Sequence, residues 1–138
     1  MNKGDELVVR AFILSPRGLL LCRTIGADWF FLPGGHIEFQ EKAASGLARE
    51  LEEELGVQVQ IGNLLGAVEN AYIEEGIHHH EINFIFRVKL ESEFTGSREP
   101  HIEFVFVDLK KVSEVNLLPV SVKEFILELL SKGVQFGG

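Results

Sequence analysis

Hydrophobic residues recur at helical spacing in two segments of the chain. In the first segment the apolar residues are three or four apart, and they are Ala44, Leu47, Ala48, Leu51 and Leu55. Such spacing places them on one face of a helix, and Gly56 then marks its end. The second segment, Pro119 to Ser131, repeats the spacing with Val122, Phe125, Ile126, Leu129 and Leu130. The chain is therefore predicted to contain a helix in its middle and another near its end.

Other segments have patterns typical of β-strands. Leu7 to Leu14 and Leu19 to Arg23 flank a Ser-Pro-Arg-Gly turn and predict a hairpin. Trp29 to Leu32 is a short aromatic extended piece, and Val57 to Val68, interrupted by two glycines, predicts a bent strand or a strand pair.

Two later strands complete the predicted sheet. One pattern alternates strictly, with Ile82, Phe84, Phe86 and Val88 on one face. The other covers Ile102 to Val107. Strands mixed with helices in this order predict an α/β fold, with a mixed β-sheet between helices.

Length and composition fit a single domain over residues 1–138, long enough to bury a hydrophobic core. Hydrophobic residues make up 46% and charged residues 25%, as in soluble proteins. No apolar run approaches the ~20 residues that cross a membrane, and the polar N-terminus lacks a signal-peptide core. The single cysteine, Cys22, rules out an internal disulfide, so a cytoplasmic location is expected.

The charge of the protein is concentrated in one segment. The net charge is −8, which argues against a general nucleic-acid binder. Between Gly35 and Val57 lie six acidic and two basic residues, so this segment carries half of the net charge. Such concentration favours a binding site over general solubility.

The helical wheel separates the glutamates of this segment. With about 100° per residue, Glu50, Glu53 and Glu54 fall on one flank of the apolar stripe, and Glu52 falls on the opposite flank. Like charges at this spacing repel, and a hard divalent cation would remove the repulsion. Carboxylate oxygens suit Mg²⁺, with Mn²⁺ as a possible substitute, and such a cation commonly serves phosphoryl chemistry. The alternative is a solvated acidic helix face.

The same stretch resembles the Nudix box, G-x5-E-x7-R-E-U-x-E-E-x-G-U, where U is a bulky aliphatic residue. Every specified position matches: Gly35, Glu41, Arg49, Glu50, Leu51, Glu53, Glu54, Gly56 and Val57. The preceding Leu-Pro-Gly-Gly and the late strand and helix are also similar to the family. The residue before Glu41 departs from it, because Gln40 stands where members often have glycine.

The resemblance implies the α/β/α sandwich of the Nudix hydrolases, a MutT-like family. It implies that Glu50, Glu53 and Glu54 bind the metal, joined by a backbone carbonyl of Gly34 or Gly35. It also implies bracing roles within the catalytic machinery for Glu41 and Arg49.

Residues outside the box are candidates for substrate contact or water activation. Glu81 and Glu103 are each expected as a possible base or accessory ligand, with Glu99 as a less well placed rival of Glu103. Tyr72, His78 and His80 are expected in a variable substrate loop, although three histidines in an exposed loop are more often simply solvated. For the aromatic run from Trp29 to Phe31, and for Cys22, core packing is the default interpretation.

The expected function is metal-dependent hydrolysis of a nucleoside diphosphate linked to another moiety. A metal-activated water would attack a phosphorus of the diphosphate bridge, with Glu53, Glu81 or Glu103 as base. The alternative is a catalytically inactive Nudix-fold nucleotide-binding or regulatory domain, and an isomerase is a third possibility that Cys22 does not favour. The partner is a nucleotide-type small molecule, and the protein is expected to be a monomer or homodimer.

Overall fold

The structure is a computed structural model, and it describes residues 2–94 and 96–133. The elements in chain order are β1 (Asn2–Phe12), β2 (Leu14–Ser15), β3 (Gly18–Thr24), β4 (Gly34–His36), α1 (Ala43–Leu55), β5 (Val59–Glu74), β6 (Ile77–Leu90), β7 (Ile102–Val107), a 3₁₀ turn (Leu109–Glu114) and α2 (Val120–Ser131). Both predicted helices are confirmed. No helix within the described ranges is long and apolar enough to cross a membrane.

The strands form two sheets. A four-stranded sheet has the order β4-β1-β6-β5, and a three-stranded antiparallel sheet has the order β2-β3-β7. The larger sheet is mixed, because β1 runs parallel to β6 and antiparallel to β4. In this register Val9 lies beside Phe84 on one side and beside Gly35 on the other.

The hydrophobic core lies on both faces of the larger sheet. Leu47, Leu51 and Leu55 of α1 pack against one face, which includes Val9, Ala11 and Ile13. Val122 and Ile126 of α2 pack against the other face, which includes Phe12 and Ile85. Successive β1 side chains alternate between the two clusters, as the pleat of a strand requires. The predicted sandwich, with a mixed sheet between helices, is confirmed.

The buried stripe of α1 differs from the prediction at one residue. Ala44 is exposed, and Gly46, Leu47, Leu51 and Leu55 are buried. Ala43, four residues before Leu47, packs partly against the core in place of Ala44. The helix ends where predicted, because Gly56 has the left-handed φ of 71° and its N–H donates to the Glu52 carbonyl.

The predicted hairpin is wrong for most of its length. Only Leu14 and Ser15 pair with β3, opposite Leu19 and Gly18, and β1 belongs to the other sheet. The reason is that β1 is a central strand. Both of its edges are already paired, with β4 and β6, so β3 has no edge of β1 to join.

The predicted bend in β5 is confirmed, since its register with β6 shifts between Ile61 and Leu64 and again between Leu64 and Gly66. The loop conformation predicted for the Tyr72 to His80 segment is wrong, because β5 continues to Glu74 and the histidines lie on β6. Glu75 and Gly76 connect the strands with φ values of 51° and 78°. Two consecutive residues with positive φ form the tight turn that closes a hairpin.

The alternation predicted for β6 is present but does not divide buried from exposed positions. The buried residues of the strand include Glu81, Asn83 and Ile85, whereas Phe84 and Phe86 are half-buried. Because both faces of this sheet are covered, a strand in it has no solvent face for a simple alternation to mark.

Leu51→Ala tests the packing of α1 on the sheet. Leu51 is fully buried, so its truncation is expected to lower the free energy of unfolding by ~2 to 5 kcal/mol. Chemical denaturation measures the change. Glu52→Ala, at an exposed position of the same helix, is the control and should stay within ~0.5 kcal/mol of wild type. A loss below ~1 kcal/mol for Leu51→Ala would contradict this packing.

Candidate active site

The Glu50 carboxylate lies directly over the backbone of β4. A Cβ atom placed on Gly35 would stand 2.8 Å from the carboxyl carbon of Glu50 and 2.9 Å from each of its oxygens. The position therefore has room for the carboxylate only because it has no side chain. A Cβ atom placed on Gly34 would stand 2.0 Å from the Val9 carbonyl oxygen, and the φ of 143° at Gly34 favours glycine. The two glycines thus bring backbone and carboxylate together.

Glu54 is the more enclosed of the two carboxylates. Its Oε1 atom is buried and has no hydrogen-bond partner among residues 2–94 and 96–133. Burial first, and then the nearby Glu50 charge, raise the pKa of Glu54 to about 7. Burial likewise raises the pKa of Glu50. Both shifts express the cost of burying negative charge in this position, which the charges of Arg49 at Glu50 and Arg10 at Glu54 offset only in part.

Glu53 lies on the same flank but faces solvent. Its side chain is 63% exposed, and its carboxylate is 3.5 Å from an Arg49 nitrogen. Glu52 is exposed too, on the other flank as the wheel predicted. The structure therefore brings Glu50 and Glu54 close to the sheet and leaves Glu53 at the rim.

Glu41 and Arg49 form a brace between the loop and α1. Arg49 donates from Nε to Glu41 Oε2 at 2.7 Å and from Nη2 to Oε1 at 3.1 Å. The Glu38 N–H also donates to Glu41, at 3.0 Å. The Arg49 bonds and then the Glu38 bond lower the pKa of Glu41 to about 2. Gln40 takes a left-handed φ of 65° in this loop, which explains why glycine suits that position.

The donor set fits a divalent cation of the Mg²⁺ type. The two enclosed carboxylates supply oxygen ligands, the unpartnered Glu54 oxygen needs a positive partner, and the Gly34–Gly35 backbone adds carbonyl oxygens close by. Across the described residues, no three His, Cys, Asp or Glu side chains are grouped to hold a metal. Binding through side chains alone would therefore require Glu53 to turn inward.

Arg10 is a functional candidate that the sequence interpretation missed. It donates from Nη1 to the Leu32 carbonyl at 3.1 Å. Burial lowers the pKa of Arg10, opposed by the charges of Cys22, Glu81, Glu54 and Glu50. A lone arginine within the apolar run Val-Val-Arg-Ala-Phe was the available signal.

Glu81 and Glu103 lie on the α2 side of the two sheets. Glu81 is on the sheet face that includes Ile85, and Glu103 pairs with Arg23 on the face that includes Leu21. Those positions belong to the α2 side, because side chains alternate along a strand. Neither carboxylate therefore lies on the side against which α1 packs, although Arg10, on the same face as Glu81, is within electrostatic range of Glu50 and Glu54.

The histidine segment makes ion pairs on both faces of the sheet. His79, next to the predicted His78 and His80, stacks on Tyr72 with ring centroids 4.7 Å apart and bonds Glu6 at 2.9 Å. His80 bonds Glu69 at 2.8 Å, and this bond raises the pKa of His80. His78 is exposed. Tyr72 and His80 therefore lie on opposite faces and do not form one substrate surface.

The aromatic run and Cys22 have mainly packing roles, as predicted. Phe30 packs against the α2-side core, while Trp29 is 37% exposed and tilts against Phe31. Cys22 is buried, its thiol donates to the Phe31 carbonyl at 3.3 Å, and burial raises its pKa. A thiol so protected is not a ready nucleophile.

Comparison with known proteins finds a match to the family described as the NUDIX domain, over residues 5–129. A rat protein, diphosphoinositol polyphosphate phosphohydrolase 2, is 40% identical over 52 residues. Those residues are 38% of this chain and only 29% of the rat protein.

Solved structures of similar fold cover nearly the whole chain. The MutT protein from Methanosarcina mazei Go1 is 26% identical with a TM-score of 0.75, covering 96% of this chain and 98% of its own. A MutT protein from Bacillus halodurans is 22% identical with a TM-score of 0.76, covering 91% and 82%. At that identity the second likeness concerns the fold alone.

Glu54→Gln tests the enclosed carboxylate. The raised pKa means that folded Glu54 holds its proton at pH values where unfolded Glu54 has lost it, so the wild type loses stability as pH rises from about 4.5 to about 7. With a chelator present, Glu54→Gln is expected to be more stable than wild type by ~1 to 3 kcal/mol above pH 7. The gain should vanish near pH 4.

Denaturation curves across this pH range measure the difference. Glu52→Gln, at an exposed position two residues from Glu54 on the opposite flank of α1, is the matched control and should show no such pH dependence. A gain for Glu54→Gln that is equal at pH 4 and pH 8 would show that Glu54 is not enclosed as described.

Proposed function

The chain belongs to the NUDIX domain family, which matches residues 5–129, and we propose that it is a Mg²⁺-dependent hydrolase of diphosphate bridges. Nudix hydrolases generally use divalent metal ions and act on small-molecule nucleotide substrates. For this chain we propose a nucleoside diphosphate linked to another moiety, with Mn²⁺ as a possible substitute for Mg²⁺. The free, buried Cys22 fits the cytoplasmic location that we also propose.

One observation carries this proposal: of two neighbouring, partly buried carboxylates, Glu50 lies against the Gly35 backbone with only one ion pair, to Arg49 at 3.4 Å, and Glu54 has a buried oxygen without a partner among residues 2–94 and 96–133. Glu50 occupies the space over Gly35, and Glu54 has an unpartnered buried oxygen. Both carboxyl pKa values are raised. A purely structural role would leave this cost uncompensated, whereas a bound divalent cation removes it.

Glu50, Glu54 and a carbonyl of Gly34 or Gly35 would hold the cation. When bound there, Mg²⁺ would neutralise phosphate oxygens and increase the acidity of a water. Glu53, at the exposed rim, is placed to join the ligands or to accept the proton of the attacking water. The water oxygen forms a new bond to phosphorus, the bridging P–O bond breaks, and the leaving phosphate takes that electron pair.

The brace explains how the helix is held for this chemistry. Arg49 joins Glu41 by two hydrogen bonds and reaches Glu50 at 3.4 Å and Glu53 at 3.5 Å. One guanidinium thereby fixes the loop that follows β4 relative to the carboxylate flank. We propose positioning roles for Glu41 and Arg49, and none in water activation for Glu81 or Glu103.

Glu53→Gln tests the proposed chemistry. Because the side chain is 63% exposed, the fold should be unaffected. The loss of a general base or metal ligand is expected to lower kcat by ~10²- to 10⁴-fold. Phosphate or nucleoside monophosphate release from a nucleotide panel with Mg²⁺ or Mn²⁺ measures the effect, and Glu52→Gln should retain wild-type turnover.

Two outcomes would contradict the proposal. Near-wild-type turnover by Glu53→Gln would remove Glu53 from the mechanism. Absence of turnover across the panel, together with nucleotide binding, would instead indicate a regulatory domain without catalysis.

A further inference from the structure

Polar side chains occupy buried positions on the α2 face of the larger sheet. Glu81 is 8% exposed and Asn83 is fully buried, one after the other on the same face of β6. They are the only buried polar or charged residues in the part of the chain that the structure describes. Because burial of a carboxylate and an amide costs free energy unless their hydrogen bonds are made, their partners matter.

The hydrogen bonds of this pair are incomplete. Glu81 Oε1 accepts from Asn70 Nδ2 at 3.2 Å and from Asn83 Nδ2 at 3.4 Å. The Asn83 amide also donates to the Val68 carbonyl at 3.3 Å. Asn83 Oδ1 is buried with no partner within residues 2–94 and 96–133. Glu81 Oε2 accepts no hydrogen bond from those residues either, and it is not fully buried.

The two amides orient the carboxylate. With Oε1 held by Asn70 from β5 and by Asn83 from β6, Oε2 is fixed in direction and keeps its two lone pairs. A carboxylate prepared in this way accepts hydrogen bonds but repels other acceptors. It therefore suits a ligand group that carries N–H or O–H donors.

Arg10 connects this carboxylate to the proposed active site. Arg10 lies on β1 directly beside Ile85, on the face that holds Glu81, and feels the charges of Glu81, Glu54 and Glu50. Tyr72 also lies within electrostatic range of Glu81 and is 37% exposed, so an aromatic ring borders the same surface. A substrate whose phosphates lie at Glu50 and Glu54 could therefore extend toward Glu81.

Resting on the proposed function, we propose that Glu81 is a specificity-determining residue whose Oε2 binds a hydrogen-bond donor on the nucleoside part of the substrate. Asn70 and Asn83 are its positioning residues. The donor is either an amino group of the base or a hydroxyl of the ribose, and both satisfy the same acceptor. A nucleotide that lacks the donor leaves the buried carboxylate unpaired, which is expected to reduce kcat/KM by ~10- to 100-fold.

Matched nucleotide pairs that differ by one donor test the inference. GTP against ITP removes the 2-amino group, ATP against purine riboside triphosphate removes the 6-amino group, and each ribonucleotide against its 2′-deoxy form removes a hydroxyl. Wild type is expected to lose at least tenfold in kcat/KM for one of these deletions. Glu81→Gln should reduce that discrimination to within twofold, mainly through a raised KM for the preferred nucleotide.

Glu69→Gln is the matched control. Glu69 lies on the adjacent strand, opposite Ile82 on the other sheet face, and its side chain is 74% exposed. This variant should keep the wild-type discrimination. Unfolding midpoints of both variants near that of wild type show that the change is one of recognition and not of folding.

The inference is overturned if wild type tolerates every deletion within twofold, or if Glu81→Gln discriminates as wild type does. Failure of the proposed hydrolase is a separate result, seen as no turnover of any nucleotide. In that case the inference is tested by calorimetry, which measures the affinities of wild type and Glu81→Gln for the matching nucleoside monophosphates without metal. A donor-dependent affinity in wild type that Glu81→Gln lacks supports the assignment, and equal affinities overturn it.

Discussion

The close contact between the Glu50 carboxylate and the Gly35 backbone is the constraint on which the site depends. It exists because β4 contributes glycine where any side chain would collide with Glu50. A second close contact between a carboxylate and a glycine occurs in the brace, where a Cβ on Gly46 would stand 2.8 Å from Glu41 Oε1. Two carboxylates are thus packed against backbone that carries no side chain at the point of contact.

Local periodicity predicted the parts of the structure that local physics controls. The apolar spacing from Leu47 to Leu55 gave α1, Gly56 gave its end, and the wheel separated Glu52 from the other glutamates. The family resemblance added the sandwich and the bracing roles of Glu41 and Arg49, and the structure shows that the two residues pair with each other. The helical wheel gives the direction of a side chain around the helix axis but not its burial. It therefore grouped Glu53 with Glu50 and Glu54, although Glu53 is exposed at the rim of the site.

The errors concern pairing between strands, which depends on residues far apart in the chain. A turn at Pro16 suggested that β1 and β3 pair, yet β1 is flanked by strands from residues 34–36 and 77–90. Likewise, the Glu-Gly turn that closes the β5–β6 hairpin is too weak a signal to distinguish from an open loop. Assignment of Glu81 and Glu103 to a sheet face requires the whole topology, because adjacent strand positions face opposite sides.

The path of the chain between the sheets has a mechanical consequence. Residues 2–24 pass from the larger sheet into the smaller one at Ile13. The chain then returns through Phe31, which bridges to Cys22, and Pro33, whose carbonyl accepts a hydrogen bond from the Ala11 N–H. Two segments of the chain therefore connect the sheets, and the second segment leads directly into Gly34 and Gly35. Opening of either sheet would displace the backbone that lies against Glu50. The site therefore unfolds cooperatively with the whole domain and not as a separate loop.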